Sequence, residues 1–212
     1  MNRTTRGRAA IAFAICAAGM AATAPVALAR TVLSTGHADV VAAKMRSGRL
    51  VSLVKDSTRG GTTVWRDPAG VTIRVVPKAR TTLPAGLGFV GPSGSPAWLI
   101  PQVQRAGVIW AGWNTEEITT AMVRGSIAWT VSKVSGPGKL VVFQTGAFGH
   151  ADVLFDSGRR MPQTQQIPLG THAHGNWAFT KRGTYKFTYA LAGRSTSGAS
   201  LRAASTLTFV VG

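Results

Sequence analysis

Apolar and polar residues alternate cleanly over 126–134, with Ile127, Trp129 and Val131 on one face and Ala128, Thr130 and Ser132 on the other. A period of two is the mark of a strand with one buried face. Gly136-Pro137-Gly138 turns the chain, and 139–145 returns through Leu140-Val141-Val142-Phe143. Shorter runs rich in β-formers fall at 49–54, 62–66, 71–76, 97–100, 152–155, 177–180, 184–191 and 203–211. Asp67-Pro68-Ala69-Gly70 separates two of them and has the composition of a turn. About ten short strands at this spacing predict an all-β protein, a single β-sandwich of immunoglobulin-like or jelly-roll-like type. One short helix is expected over 115–123, where Asn114 can cap the first turn, Glu117 can reach back to it, and Gly125 follows.

The first 29 residues follow a different pattern. Arg3, Arg6 and Arg8 precede an apolar run over 9–20, and Ala27-Leu28-Ala29 offers small residues where a signal peptidase cuts. This reads as a signal peptide over 1–29, leaving one domain over 30–212. The run is too short for a transmembrane helix, and no later one is long enough. The chain closes on Val210-Val211-Gly212 without a sorting tail, so the expected product is secreted, with wall association left to its surface chemistry.

Composition narrows the functional classes. Apolar residues make up 45% of the chain and charged residues 15%, which excludes a disordered polyelectrolyte. The only cysteine is Cys16, inside the leader, so the remaining domain cannot be a disulfide scaffold. Lys and Arg number 24 against 7 Asp and Glu, a formal charge of +17. In a cytosolic protein that excess would suggest nucleic acid; behind an export signal the expected partners are acidic wall polymers or another anionic surface, and no nucleic acid.

The remaining chemistry lies in four histidines: His37, His150, His172 and His174. In an extended segment His172 and His174 point to the same side, about 7 Å apart along the chain. Two imidazoles so placed can converge on one ion. Spacing alone leaves the alternative of two polar residues in a loop flanked by Gly170 and Gly175. Other candidates are weaker. Gly91-Pro92-Ser93-Gly94-Ser95 lacks the last glycine of a nucleophile elbow. Glu116 and Glu117 are adjacent and form no catalytic pair. Trp98, Trp110, Trp113 and Trp129 are read as core, with a carbohydrate platform as the alternative.

Several segments together resemble a known family. They are Thr35-Gly36-His37-Ala38-Asp39-Val40, Trp113-Asn114-Thr115-Glu116-Glu117-Ile118, Gln144-Thr145-Gly146-Ala147-Phe148-Gly149 and His172-Ala173-His174-Gly175-Asn176-Trp177-Ala178-Phe179-Thr180. The chain over about 31–212 is similar to the actinobacterial surface-anchored protein domain, also called the choice-of-anchor M domain. That resemblance implies an exported envelope module associated with anchored-repeat ABC transporters. It further implies delivery of a substrate toward the transporter's substrate-binding protein. Carried onto this sequence, the matching histidines are His37, His172 and His174. Three imidazoles suit Zn²⁺, or Cu²⁺ and Ni²⁺, better than Mg²⁺ or Ca²⁺. The fourth position is open to His150, Asp39, Glu116 or water. No glutamate stands beside the pair as in a His-Glu-x-x-His motif, so the expectation is a binding module and not an enzyme. The alternative is a wall-adhesion or protein-interaction domain whose histidines are structural and hold no metal.

Overall fold

The computed structural model describes Met1 and residues 30–212. The leader assignment therefore falls outside the described residues. Sixteen strands, numbered along the chain, build three sheets among the described residues. The first holds, in spatial order, β1 (Thr31–Leu33), β5 (Val71–Val75), β16 (Ser200–Val211), β15 (Gly183–Ser195), β9 (Val123–Ser135) and β12 (Gln163–Pro168). The second holds β11 (Ala151–Asp156), β10 (Leu140–Thr145), β14 (Asn176–Phe179), β7 (Pro96–Ile100) and β6 (Arg80–Thr82). The third holds β13 (His172–His174), β8 (Ile109–Asn114), β2 (Gly36–Arg46), β3 (Arg49–Ser57) and β4 (Val64–Arg66). Most neighbours are antiparallel; β1 with β5, β5 with β16, and β2 with β8 run parallel.

The fold is an all-β sandwich in which the six-stranded sheet faces both five-stranded ones. Trp129 on β9 shows why. Its ring lies 5.6 Å from Trp113 of the third sheet and 4.6 Å and 6.2 Å from Phe155 and Trp177 of the second. Phe187, Tyr189 and Phe209 complete the apolar layer from β15 and β16, all nearly solvent-free. Burying each side chain of this class stabilises the fold by roughly 1.5–3 kcal/mol before entropy is counted. The Tyr189 hydroxyl stays bonded to Ser52 Oγ at 2.7 Å, tying β15 to β3, and burial pushes its pKa up to about 12.

The helix expected over 115–123 is absent; 115–122 forms consecutive turns. The Thr115 carbonyl accepts from Ile118 N–H at 2.9 Å and Gly170 N–H at 3.3 Å instead of from residue 119, and its other polar groups are tied to the chain before β13. The Thr115 N–H donates to the Thr171 carbonyl at 2.8 Å and its hydroxyl to the Pro168 carbonyl at 2.7 Å. Asn114 Oδ1 does accept the Glu116 N–H at 2.9 Å, as a turn cap would. The Glu117 carboxylate, however, goes to Lys44 at 3.2 Å and does not close a capping box. Helical residues in the described chain are confined to 3-10 turns at Pro68–Gly70, Pro77–Ala79 and Ala147–Gly149. No helix among the described residues is long and apolar enough to cross a membrane.

Candidate metal centre

Three adjacent strands of the third sheet place the histidines. On central β8, Gly112 is in register with Asp39 of β2 on one side and His174 of β13 on the other. One step away His37 pairs Trp110, and on the other flank His172 pairs Asn114. Residues in register, and those two apart along a strand, share a face. The opposite face carries Ala38, Ala111 and Trp113 into the core. Alternation on three strands thus gathers His37, Asp39, His172 and His174 on one outer surface.

The gathering is tight. His172 Nε2 lies 3.1 Å from His37 Nε2 and 3.3 Å from His174 Nε2. Asp39 Oδ1 lies 3.3 Å from His37 Nε2 and 3.1 Å from His172 Nε2. All four ligand atoms fall within 4.8 Å of one another. Bonds of ~2.0–2.1 Å to a tetrahedral ion give edges of roughly 3.3 Å, so four of the six separations already match a zinc-sized centre.

Asp39 is the decisive residue. It is fully buried, with 0% exposure, beneath the imidazoles. Asn114 Nδ2 donates to its Oδ2 at 3.0 Å, while Oδ1 has no hydrogen-bond donor. A buried carboxylate oxygen without a partner costs free energy. Here that oxygen lies within 3.3 Å of Nε2 of His37 and His172 and within 4.8 Å of His174, so a shared cation would satisfy all four atoms together. The group can hold a metal ion, and the residues present fit a nitrogen-rich transition metal.

The surroundings orient the ligands. The His174 ring stacks on Trp110 at 3.7 Å with an interplanar angle of 11°. Trp110 is fixed in turn by its indole N–H, which donates to the Gln102 carbonyl at 2.7 Å. Burial pushes the His174 pKa down to about 4, against the opposing pull of Asp39, so its imidazole is neutral at pH 7 with a lone pair free. Its Nδ1 faces the Ala111 carbonyl without reaching ordinary hydrogen-bond geometry. Glu116 Oε1 sits 3.6 Å from His172 Nδ1, too long for a hydrogen bond but in the orienting position behind a metal-binding imidazole. Hydrogen bonds from Lys55 and Asn114 hold the Glu116 carboxyl below the usual carboxylate range.

Of the three residues considered for the fourth position, Asp39 is the one that lies within the group. Glu116 stands behind His172 and outside the group of four. His150 is excluded: it is exposed at the turn between β10 and β11, with Nδ1 3.2 Å from the Ala151 carbonyl, and takes no part in the cluster. The tryptophan platform is excluded as well, since Trp98, Trp113 and Trp129 are buried at 8%, 5% and 0% exposure.

Gly112, Asn114 and Trp110 complete the site, and sequence reading assigns none of them to it. Asn114 reads as a helix cap and Trp110 as core. Gly112 has a signal only in hindsight, as a glycine between tryptophans in an apolar strand. A Cβ there would lie 2.7 Å from both Asp39 Oδ1 and the Ala173 carbonyl and 2.8 Å from His174 Cε1. Gly112→Ala is therefore expected to weaken zinc binding by at least about tenfold and to destabilise the apo protein by roughly 1–3 kcal/mol. Titration calorimetry and urea melts check the two effects separately.

No protein-family model, no curated protein and no solved structure matches the chain.

Proposed function

We propose that the chain is an exported metal-binding module of the cell envelope. It takes up a transition metal, Zn²⁺ first, and passes it toward the substrate-binding protein of an ABC importer. The observation that carries the metal reading is the donor-less Asp39 Oδ1 buried within reach of His37 and His172 Nε2. The transfer reading is supported by the resemblance to the choice-of-anchor M domain and by the shape of the rim. The His172 side chain is 34% exposed and that of His37 20% exposed, so the rim of the group meets solvent. A site for permanent structural zinc is commonly enclosed; one that must release its ion benefits from an open edge. The role is one of binding, with His37, His172 and His174 supplying nitrogen and Asp39 supplying charge.

Purified protein is expected to bind one equivalent of Zn²⁺ at neutral pH. Free zinc a thousandfold above Kd should then stabilise it by about 4 kcal/mol, raising Tm by roughly 8–16 °C for a chain of this size. Differential scanning calorimetry with and without chelator measures this. An unchanged Tm at all zinc concentrations would remove the metal from the function.

A further inference from the structure

The six-stranded sheet carries the second feature. Its strands contain six cationic residues, Arg74, Arg124, Lys133, Lys186, Arg194 and Arg202, and none of the chain's 7 acids. All six are exposed, and none has an ion-pair partner among the described residues. Elsewhere four of the seven acids are paired locally: Asp56 with Arg66, Asp156 with Lys139 and Arg159, Glu116 with Lys55 and Glu117 with Lys44. The six-stranded sheet thus presents six exposed cations with no acid on its strands to compensate them.

Register orders that surface. Lys186 is paired with Ser135 and Thr208, and Thr188 with Lys133 and Thr206. These side chains, with Arg30, line a depression of ≈ 340 Å³. Eight residues along β15, Arg194 pairs Arg124 and Ser200, while Ala192 pairs Arg202 and Ala128. This second group lines a depression of ≈ 580 Å³. Between them the face is floored by small residues, with Ala190 paired to Ala204 and Thr130. At ~3.3 Å per residue the two groups stand roughly 26 Å apart. The inward partners of these residues, Trp129, Phe187, Tyr189 and Leu207, fill the core. The face therefore looks away from the sandwich on the side opposite the third sheet and its histidines.

We infer that this face is a docking surface for a linear, flexible polyanion, a chain of phosphate charges that lies along the strands and engages both cationic groups. Charge complementarity supplies the attraction. The depression beside Lys133 and Lys186 is lined by Ser135, Thr188, Thr206 and Thr208, hydroxyls that can donate to discrete anionic groups. A bilayer surface would meet the cations but leave the depressions unfilled. Val32 is the one large exposed apolar residue among the described residues that stands in this sheet, so little is offered for insertion into lipid. Two half-sites on one chain also gain from linkage, since the second contact becomes intramolecular.

The test uses long-chain inorganic polyphosphate, tripolyphosphate and phosphatidylglycerol vesicles, with binding followed by fluorescence anisotropy or sedimentation. The expected result is binding of the long chain, with a log–log salt slope of about −4 for six contacts at ~0.7 each. Tripolyphosphate, too short to reach both groups, should bind at least about tenfold more weakly per molecule. The triple variant Arg124→Gln, Arg194→Gln, Arg202→Gln should lose about tenfold or more, while Arg59→Gln, Arg80→Gln, Arg105→Gln, with the same charge removed elsewhere, stays within about twofold. Circular dichroism melts of both triples confirm that each is folded, and Lys133→Gln with Lys186→Gln repeats the test at the other group. Equal losses in the two triples would overturn the proposal, leaving only net charge. Tripolyphosphate binding as tightly as the long chain would overturn the two-group docking. Vesicles binding more tightly than polyphosphate would replace the polymer with a membrane.

Discussion

Replacing His172 and His174 together by alanine abolishes zinc binding, a fall in affinity on the order of 10³-fold or more. A four-ligand site binds with ~10–16 kcal/mol shared among its ligands, so losing two of them removes several kcal/mol. The two rings contribute unequally to the fold. His174 is partly buried and stacked on Trp110, whereas His172 lies at the rim. The apo double variant should therefore lose only about 1–2 kcal/mol of stability, chiefly the His174 packing. His150→Ala, remote from the cluster, should bind zinc as the parent does. Calorimetric titration with apo protein measures all three. If the histidines were purely structural, the pattern would reverse: a large loss in the apo melt and no zinc effect to lose.

Truncation of Trp129 to alanine is expected to destabilise the protein by about 3–5 kcal/mol. Against a typical total of ~5–15 kcal/mol that is enough to leave much of the population unfolded on mild heating. The reason is position. One indole touches Phe155 and Trp177 in the second sheet and Trp113 in the third, so its loss opens a cavity where all three sheets meet. The indole N–H is buried without a hydrogen-bond partner. Trp129→Phe therefore forfeits area but no hydrogen bond, and should cost less than half as much as Trp129→Ala. Urea unfolding midpoints of the two variants give the comparison. Equal costs would show that a polar contact, and not ring volume, holds this centre together.

Much of the sandwich is legible in the sequence because most long strands bury only one face. β9, β10, β15 and β16 show alternation or β-rich runs; the structure extends β9, β15 and β16 at their ends and starts β10 one residue later than expected. β2 is invisible to the same reasoning. Its middle, Ala38 to Ala43, is buried on both faces between β8 and β3, and its alanines, Lys44 and Met45 read as helix formers. Burial of both faces erases the period of two. β12 is hidden for the opposite reason: Gln163 to Gln166 is polar, and as the sheet's edge strand it pairs only with β9. The turns after Asn114 carry a helix signature that tertiary bonds at Thr115 override.

The metal centre divides in the same way. His172 and His174 are legible from their spacing, and His37 from the family resemblance of its segment. Asp39 is one of three candidates until the parallel pairing of β2 with β8 puts it under the imidazoles. Parallel pairing of segments about seventy residues apart leaves no local trace, so neither Asp39 nor the cradle at Gly112 could be chosen from spacing. The cationic face is similar. A net charge of +17 is a count, and only strand order shows that the six-stranded sheet holds no acid.

Four side chains from β2 and β13 are proposed to enclose one ion. Crystals grown with zinc and measured on both sides of the zinc absorption edge test this most directly. A single anomalous peak is expected, bonded to Nε2 of His37, His172 and His174 and to Oδ1 of Asp39. A peak seated instead at His150, or none at the cluster with zinc in excess, would contradict it.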